Sequence, residues 1–561
     1  MQGTSDSPTG PWVLRPAVCG ALLALLALAL SLALADRGLP PNDEGALLTN
    51  AARILRGGVY YRDIDSYPFP GAAYLLAGAM ALAGERVAVG RLLAAGLFAL
   101  TVASLYAAAS LLLERRRAAL FGLSLLSFKF LAWPAFTAYL YSDLAFAAGA
   151  LALALYLRHP QSGGRGALLG AGAALGACLL AKQNLGIYLT LATGALLLLP
   201  GPGTAGASGR AARLALFGGG LALALAPPLA WFAGQGLLGA MLESGLLRPF
   251  TAYLPTSGVS YARALAWWEL GSLRGVPAFP YFVAPYWVML NRGDLPGGSE
   301  SGAWWLLGEL VTRVLYTAIP LVFAAALLRL ARGGRAAAAG PGRAFLAVAL
   351  FAGAAVLSAF PRADFFHVVS VAPLVLLLAF ALRRPSPARF WPEAVAVALL
   401  LLATGLGLLR YAAGLEHRLS LERAELRVEP EAAWVESVAR YAAEEVPPGA
   451  GLFVYGNEAI FYFLADRYAA WPFAQLYPGQ TGRGGGAELV ASLRRAPPAL
   501  VIRGALSWPG LPALPSYTPA LFQELRAGFE LDPRVFERHP VRGGSEPPAA
   551  FLAVLRPRRL P

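Results

Sequence analysis

The side chains best suited to chemistry lie in an acid-rich segment directly after the first long apolar run. The adjacent carboxylates of Asp43 and Glu44 can accept a proton or bind a hard divalent metal. They equally suit the first turn of a helix, whose dipole favours negative charge. Because only 14% of the residues are charged, the concentration of acids indicates a site. The acidic residues of the segment are Asp36, Asp43, Glu44, Asp63 and Asp65.

Two single charged residues stand at the edges of later apolar runs. Lys182 lies between two apolar stretches, where its ammonium can bind a phosphate as a point charge or reach the membrane surface from a short turn. Asp143 opens another apolar run. Since a carboxylate costs about 2.5–3.5 kcal/mol at the centre of a membrane helix and less near its end, Asp143 is either a substrate ligand or a helix cap.

A further group comprises Arg362, Asp364 and His367, in the sequence Pro-Arg-Ala-Asp-Phe-Phe-His. If the segment is helical, Asp364 and His367 share one face because they are three positions apart. A carboxylate and an imidazole so placed can bind a metal or orient a substrate. An ordinary helix cap with an ion pair to Arg362 is the structural alternative.

These polar groups are embedded in a chain with the composition of a membrane protein. Of its 561 residues, 57% are hydrophobic, and the apolar runs of roughly 16–25 residues can cross a bilayer about 30 Å thick. The net charge of +14 comes mostly from arginines in short loops, as the positive-inside rule predicts, which argues against nucleic acid as a partner. Cys19 and Cys178 both lie in apolar runs, so no disulfide framework is expected.

We predict eleven membrane-spanning helices between a cytoplasmic N-terminus, 1–16, and residue 411. The short apolar stretch 71–83 is predicted to lie at the membrane surface, because a span there would export the basic loops. The acidic loop, 36–86, and a long loop, 234–306, then lie on the outer face. The long loop includes Tyr281 and Trp287 and is either an interfacial aromatic belt or a lid over a lipid-linked substrate. The predicted spans are 17–35, 87–113, 118–134, 141–157, 167–180, 185–199, 214–233, 307–330, 344–360, 365–382 and 391–411.

From about residue 412 the composition becomes that of a soluble domain. Strand patterns at 452–455, 499–503 and 550–555 alternate with helical patterns at 430–446, 458–464, 487–495 and 519–529. Such alternation predicts a small α/β layer, placed on the outer side of the membrane. The predicted fold class is therefore mainly α: a polytopic membrane helix bundle, 17–411, with a small C-terminal α/β extracytoplasmic domain, 412–561.

Several segments together resemble the C-type (GT-C) glycosyltransferase superfamily, and within it the protein O-mannosyltransferases and the bacterial lipid A aminoarabinose transferases. The resemblance extends over about residues 17–199. One departure is Phe69, which separates two prolines that the family often has side by side. The motifs that carry the resemblance are Asn42-Asp43-Glu44-Gly45, the segment 52–63, Tyr67-Pro68-Phe69-Pro70, the segment 84–92 and Tyr141-Ser142-Asp143.

The resemblance implies a membrane enzyme that moves a sugar from a polyprenyl-phosphate donor to a cell-envelope acceptor on the outer face. Asp43 matches the base proposed for the family, with Glu44 as its helper, and we predict a single displacement with inversion. A lipid phosphate is a fair leaving group, so fixed cations are needed rather than a protein acid. No cofactor is certain, and Asp43 and Glu44 are the candidate ligands for a divalent metal. The expected substrate-binding residues are Arg53, Arg62, Asp63, Asp143, Lys182, Arg362, Asp364 and His367.

Two other functions stay open at this point. A multi-span transporter or lipid flippase of envelope precursors also uses charged residues among its spans, but usually at mid-membrane, whereas here they cluster at one face. A scaffold that binds partners through the aromatic loop and the outer domain is the third hypothesis. The sequence does not identify the sugar or the acceptor, which is a lipid, a glycan or a protein. Its Ala, Arg, Gly and Pro content indicates a GC-rich bacterial genome, with an archaeal source left open, and the predicted location is the plasma membrane.

Overall fold

The chain folds into a long helical part followed by a small part that mixes strands and helices. The predicted fold class, a membrane helix bundle with a small C-terminal α/β part, is confirmed. The computed structural model describes residues 15–558 apart from 41, 132–136, 163, 200–206, 270–301, 335–339, 384–386, 483, 505–511 and 542–551. Tyr281 and Trp287 of the long loop, predicted as an aromatic belt or a lid, lie outside the described residues.

Each apolar run that was predicted to span the membrane forms a helix. Among the described residues, six helices are long and apolar enough to cross a bilayer, and the chain is a multi-pass membrane protein. The total of eleven spans and the surface position of 71–83 stay predictions. The helices of this part are α1 (Pro16–Leu32), α2 (Asp43–Leu55), α3 (Gly71–Ala83), α4 (Val87–Ser110), α5 (Arg115–Leu131), α6 (Tyr141–Ser162), α7 (Arg165–Ala181), α8 (Gln183–Leu198), α9 (Ala207–Gly234), α10 (Leu238–Leu242), α11 (Gly302–Gly333), α12 (Gly340–Ser358), α13 (Phe365–Leu382) and α14 (Pro387–Ala413).

The helix α13 connects the two ends of the bundle. Asp364 caps its first turn by accepting a hydrogen bond from a backbone N–H. Its 18 residues rise about 27 Å, close to the thickness of a bilayer's hydrocarbon core. Beyond its last turn, Arg117 donates to the carbonyls of Phe380 and Arg383. We call the end near Arg117 the arginine end and the opposite one the Asp43 end.

Several elements that do not cross the bundle gather at the Asp43 end. After α10 the chain is wound largely as π-helix over residues 243–253, a form that often marks functional sites. Gln183 connects this segment to the acidic loop, 36–86, which we also call the first loop. Its amide donates to the carbonyls of Tyr67 and Gly245. Arg248 adds an ion pair to Asp65, with 2.9 Å between Nη1 and Oδ2.

The C-terminal part contains the strands β1 (His417–Leu421), β2 (Ala424–Val428), β3 (Gly451–Tyr455), β4 (Pro498–Arg503), β5 (Phe529–Leu531) and β6 (Ala553–Pro557), and the helices α15 (Trp434–Glu445), α16 (Ile460–Ala465), α17 (Ala487–Arg495), α18 (Leu514–Tyr517), α19 (Pro519–Gly528) and α20 (Arg534–Arg538). The sheet order is β3–β4–β6–β5, with β3 and β4 parallel and the other pairs antiparallel. The predicted strands appear as β3, β4 and β6. The β1–β2 hairpin and β5 were not predicted from the sequence.

The C-terminal part is bound directly to the first loop of the helical part. The N–H of Gly38 donates to the carbonyl of Arg427, and the N–H of Arg427 to the carbonyl of Asp36, both at 2.7 Å. Thr49 on α2 donates to the carbonyl of Ala459 at 3.1 Å. Buried side chains of α2, α3, α15 and α16 belong to one hydrophobic core. The two parts therefore share a packed interface at the Asp43 end.

Candidate active site

Asp43 is the first residue of α2, and its carboxylate faces the C-terminal part. Its Oδ1 accepts a hydrogen bond of 3.2 Å from Nε2 of Gln475. Arg362, Asp364 and His367 are close enough to act on its charge. The structure thus brings together the acid of the first loop and the Arg-Asp-His group that precedes α13, two groups that lie far apart in the sequence.

Asp364 organises the second of these groups. Its Oδ2 lies 2.7 Å from Nε of Arg362, and its Oδ1 lies 2.7 Å from Nδ1 of His367. An ionised carboxylate only accepts hydrogen bonds, so Nδ1 of His367 carries the proton of this contact. The shared helix face, the ion pair and the helix cap foreseen from the sequence are all present in one arrangement.

The two carboxylates of this site differ in their pKa shifts. Burial raises the pKa of Asp43 above its ordinary value of 3.8, although the Gln475 amide, His367 and Arg362 lower it in part. Burial also acts to raise the pKa of Asp364, but His367 and Arg362 outweigh it and lower that pKa to about 2. A carboxylate with a raised pKa is the stronger base, so Asp43 is suited to accept a proton while Asp364 stays ionised.

Lys182 lies at the junction of α7 and α8, next to the same group. Its side chain is buried, with Nζ 5.5 Å from the ring centre of Phe146 and 6.0 Å from that of Tyr141, within the range of a cation–π contact. Asp364 is its carboxylate neighbour. The lysine proposed from the sequence as a phosphate ligand is therefore near the Arg362–Asp364 pair.

Three tyrosines from separate segments form an aromatic wall beside Asp43. The ring centres of Tyr67 and Tyr253 are 5.4 Å apart, and those of Tyr253 and Tyr477 are 6.2 Å apart. Tyr253 is hydrogen-bonded to Arg362, and Tyr477 lies within electrostatic range of Asp43 and Arg362. The first loop, the π-helical segment and the C-terminal part each supply one ring.

The structure does not bring Glu44 into this site, where the sequence suggested a helper base or metal ligand. Successive helix residues point about 100° apart, and Glu44 turns to Arg91, with which it forms two contacts of 2.9 Å. Arg91 also donates to the carbonyls of Ala35 and Gly38, so this buried pair fixes the start of α2. The paired-carboxylate metal site is not formed, and the described residues hold no group of three His, Cys, Asp or Glu placed to bind a metal.

Arg53, Arg62 and Asp63, predicted to bind substrate, do not meet Asp43 either. Arg53 donates to the carbonyls of Trp471 and Pro472 at 3.1 and 3.2 Å and to that of Asp63 at 2.5 Å. Arg62 and Asp63 form a largely exposed ion pair of 3.0 Å. Arg53 is thus a bridge between the first loop and the C-terminal part.

Asp143 takes the capping role that the sequence offered as its alternative. Its Oδ2 accepts the N–H of Leu140 at 2.8 Å. Its charged neighbours are Lys129 and Glu44.

Sequence reasoning missed the roles of Gln475, Tyr477 and Tyr253. Gln475 is 432 positions from Asp43, in a segment without helical or strand periodicity. Tyr253 follows an apolar run and was taken only as part of a long loop. No local pattern distinguishes such residues, because their neighbourhood exists only once the two parts of the chain have packed.

The comparisons with known proteins are consistent with this architecture. Residues 66–231 match a family model described as dolichyl-phosphate-mannose-protein mannosyltransferase. No curated protein matches the chain. The archaeal oligosaccharyltransferase AglB from Archaeoglobus fulgidus, solved with an inhibitory peptide and a dolichol-phosphate, is 13% identical with a TM-score of 0.50, over 88% of this chain and 70% of AglB.

Two further solved structures are similar to the chain. ArnT from Cupriavidus metallidurans bound to undecaprenyl phosphate is 15% identical, with a TM-score of 0.47 over 96% of this chain and 97% of ArnT. The Pmt1–Pmt2 protein O-mannosyltransferase complex of S. cerevisiae is 20% identical over 40% of this chain and 34% of that one, with a TM-score of 0.33. The family model covers less than a third of the chain, and the likeness to AglB shows a shared fold.

Proposed function

We propose that the chain moves a sugar from a polyprenyl-phosphate donor to a cell-envelope acceptor at the outer face of the membrane. The acceptor is a lipid, a glycan or a protein. The observation that carries the proposal is the meeting of Asp43, a carboxylate with a raised pKa, with Arg362 at one end of the bundle. Asp364, the partner of Arg362, also neighbours Lys182. The dolichyl-phosphate sugar named in the family description and the dolichol-phosphate bound by AglB support a donor of this class.

In the proposed reaction the acceptor hydroxyl attacks the anomeric carbon of the donor sugar. Asp43 takes the hydroxyl proton as the new C–O bond forms. The bond from the anomeric carbon to the phosphate oxygen breaks, and its electron pair leaves with the lipid phosphate. Attack opposite the leaving group inverts the anomeric centre. A single base suffices, in contrast to glycoside hydrolysis, where two carboxylates flank the scissile bond.

The cations of the site stabilise the charge that develops on the departing phosphate. Fixed charges in a partly buried site do this more effectively than water, because they need no reorganisation. Asp364 holds Arg362 in place through their 2.7 Å ion pair, and Lys182 supplies a compact charge from the α7–α8 junction. His367, oriented by the same carboxylate, is proposed to contact the acceptor.

The sidedness of this site is part of the proposal. We assign residues 1–16 to the cytoplasm, 17–411 to the membrane domain and 412–561 to an extracytoplasmic domain. The support is the distribution of arginines: Arg117, Arg343 and Arg383 lie at the arginine end, which the positive-inside rule assigns to the cytoplasm. The Asp43 end and the C-terminal part then face outward.

A transporter or flippase of envelope precursors is the alternative from the sequence. Transport sites usually lie near the bilayer midplane, at broken helices. Here Asp364 is at the first turn of α13, Asp43 begins α2 and Lys182 lies between two helices. This placement at helix ends favours chemistry at a membrane surface.

The test is the replacement of Asp43 by asparagine in a strain that lacks the chromosomal copy. Mass spectrometry of envelope lipids and glycans identifies the sugar that disappears on deletion and returns with the wild-type protein. We expect Asp43→Asn to restore roughly 10²-fold less of it per unit time, or less still, as for the loss of a general base. Asp36→Asn is the matched control, because that side chain is exposed. Full restoration by Asp43→Asn would falsify the proposed role.

A further inference from the structure

The segment 471–481 of the C-terminal part, which we call the Gln475 loop, reaches across to the first loop of the helical part. It is part of the connection between α16 and α17. At its start, Arg53 binds the carbonyls of Trp471 and Pro472, and the N–H of Asp65 donates to the carbonyl of Pro472 at 2.9 Å. Near its end, the hydroxyl of Tyr67 donates to the carbonyl of Pro478. Both sides of the loop are therefore held by the membrane part.

The loop is also fixed from within the C-terminal part. The N–H of Leu476 donates to Oδ1 of Asn457 at 3.1 Å, and its carbonyl accepts from the hydroxyl of Tyr517 at 2.7 Å. Gln480 closes the turn. Its side-chain oxygen accepts the N–H of Tyr477, and its carbonyl accepts a hydrogen bond from the indole of Trp471. Leu476 follows Gln475 directly, so these bonds hold the backbone from which the glutamine projects.

The buried amide of Gln475 then meets the carboxylate of Asp43. Because the ionised carboxylate only accepts hydrogen bonds, the amide nitrogen must be the atom that faces it. The bond occupies Oδ1 and leaves Oδ2 for a hydroxyl proton. A neutral donor orients the carboxylate with a smaller loss of basicity than a guanidinium at the same place would cause, since an adjacent cation lowers a carboxylate pKa by about 1–3 units.

We propose that the Gln475 loop forms one wall of the active site and that Gln475 is the positioning residue for Asp43. The inference rests on the proposed function, since it concerns the orientation of the proton acceptor. Its consequence is that the C-terminal domain is part of the active site, where Tyr477 of the same loop continues the wall toward Tyr253.

The test compares Gln475→Met, which keeps the size of the side chain but loses the donor, with Gln523→Met, an exposed control in the same domain. Transfer rates are measured in proteoliposomes with the lipid-linked donor extracted from the producing strain. We expect Gln475→Met to lower kcat about tenfold or more, since misplacement of a reacting group is costly, with little change in KM for the donor. The acid limb of the kcat–pH profile should move to higher pH, because Asp43 loses a bond that stabilises its charged form.

A second variant keeps the test decisive if Gln475→Met fails to fold in detergent. Gln475→Glu retains the shape and places a second carboxylate against Asp43, so the acid limb should move further upward. An unchanged rate and pH profile in both folded variants would overturn the role of Gln475. A wild-type protein that transfers no sugar would instead overturn the proposed function, so the two failures are distinguishable.

Discussion

The burial of Asp43, the base of the proposed reaction, has a cost in stability. Burial raises its pKa, so the folded protein binds a proton at this carboxylate more readily than the unfolded chain does. By linkage, Asp43 favours the folded state below its unfolded pKa, and this contribution is lost as the pH rises through the folded pKa. Near neutral pH the charge is therefore unfavourable to folding.

We accordingly expect Asp43→Asn to raise the thermal unfolding midpoint near neutral pH while it abolishes transfer. The amide is uncharged, and its oxygen still accepts the hydrogen bond from Gln475. The difference from the wild-type protein should shrink as the pH falls below the ordinary carboxylate pKa, since Asp43 is then protonated in both states. Scanning fluorimetry in detergent measures the midpoints, with Asp36→Asn as the control that should not shift. A midpoint lower than that of the wild-type protein near neutral pH would contradict the argument.

What the sequence predicts of the site depends on whether a residue has a local pattern. Asp364 and His367 share a helix face by spacing alone, and Asp43 lies in a motif recognisable by its neighbours. Glu44 has the same motif but points to Arg91, because adjacent helix positions face different directions. Gln475 has no local pattern, since only the packing of two distant segments gives it a partner.

At the scale of elements, the position of Asp43 depends on how closely α2 approaches α16. A Cβ built on Gly45 would overlap the backbone nitrogen of Ile460 and lie 2.6 Å from its Cα. The glycine is therefore required by a contact between two backbones. Arg56 and Asp466 add an ion pair of 2.7 Å across the same interface.

We expect Gly45→Ala to lower the stability by about 1–3 kcal/mol, as for other overpacked sites, and to reduce transfer by displacing Asp43 and Gln475 from one another. Thermal unfolding and the transfer assay measure the two effects. Gly78→Ala in α3 is the matched control, because a Cβ there meets nothing within 4 Å. That change should stabilise the protein by roughly 0.5–1 kcal/mol, since alanine is the better helix former. Equal behaviour of the two variants would show that α2 and α16 do not need this close approach.

The elements themselves were predicted to different extents. The long apolar runs form helices. The helix predicted over 71–83 has the same bounds in the structure, because Pro70 precedes it and Gly84 follows it. The β1–β2 hairpin was missed, since Leu421 and Ala424 are joined by the polar pair Glu422–Arg423 rather than by a residue pair typical of tight hairpins. The strand β5 was missed because its three residues, Phe529–Leu531, are too few to show an alternating pattern.

At the scale of the whole molecule, charge is divided between the two ends of the bundle. At the arginine end, Arg117 forms a buried ion pair of 2.9 Å with Glu393, and Arg343 donates to the hydroxyl of Tyr156 at 3.1 Å. At the Asp43 end, Arg362 is held by Asp364. The second group lies beside the C-terminal part. In the proposed arrangement the first cluster stays on the cytoplasmic side and the second carries the chemistry.

This division predicts which residues a membrane-impermeant thiol reagent reaches. After replacement of Cys19 and Cys178 by alanine, single reporters are placed at exposed positions by Arg62→Cys in the acidic loop, Gln523→Cys in the C-terminal part and Arg116→Cys at the arginine end. In sealed cells the first two should be labelled and the third only after permeabilisation, because the length of α13, about 27 Å, separates the ends by one hydrocarbon core. Transfer activity of each variant is the control for folding. Labelling of the third alone would place the Asp43 end on the cytoplasmic side and exclude transfer at the outer face. Labelling of all three in sealed cells would contradict the assignment of the arginine end to the cytoplasm.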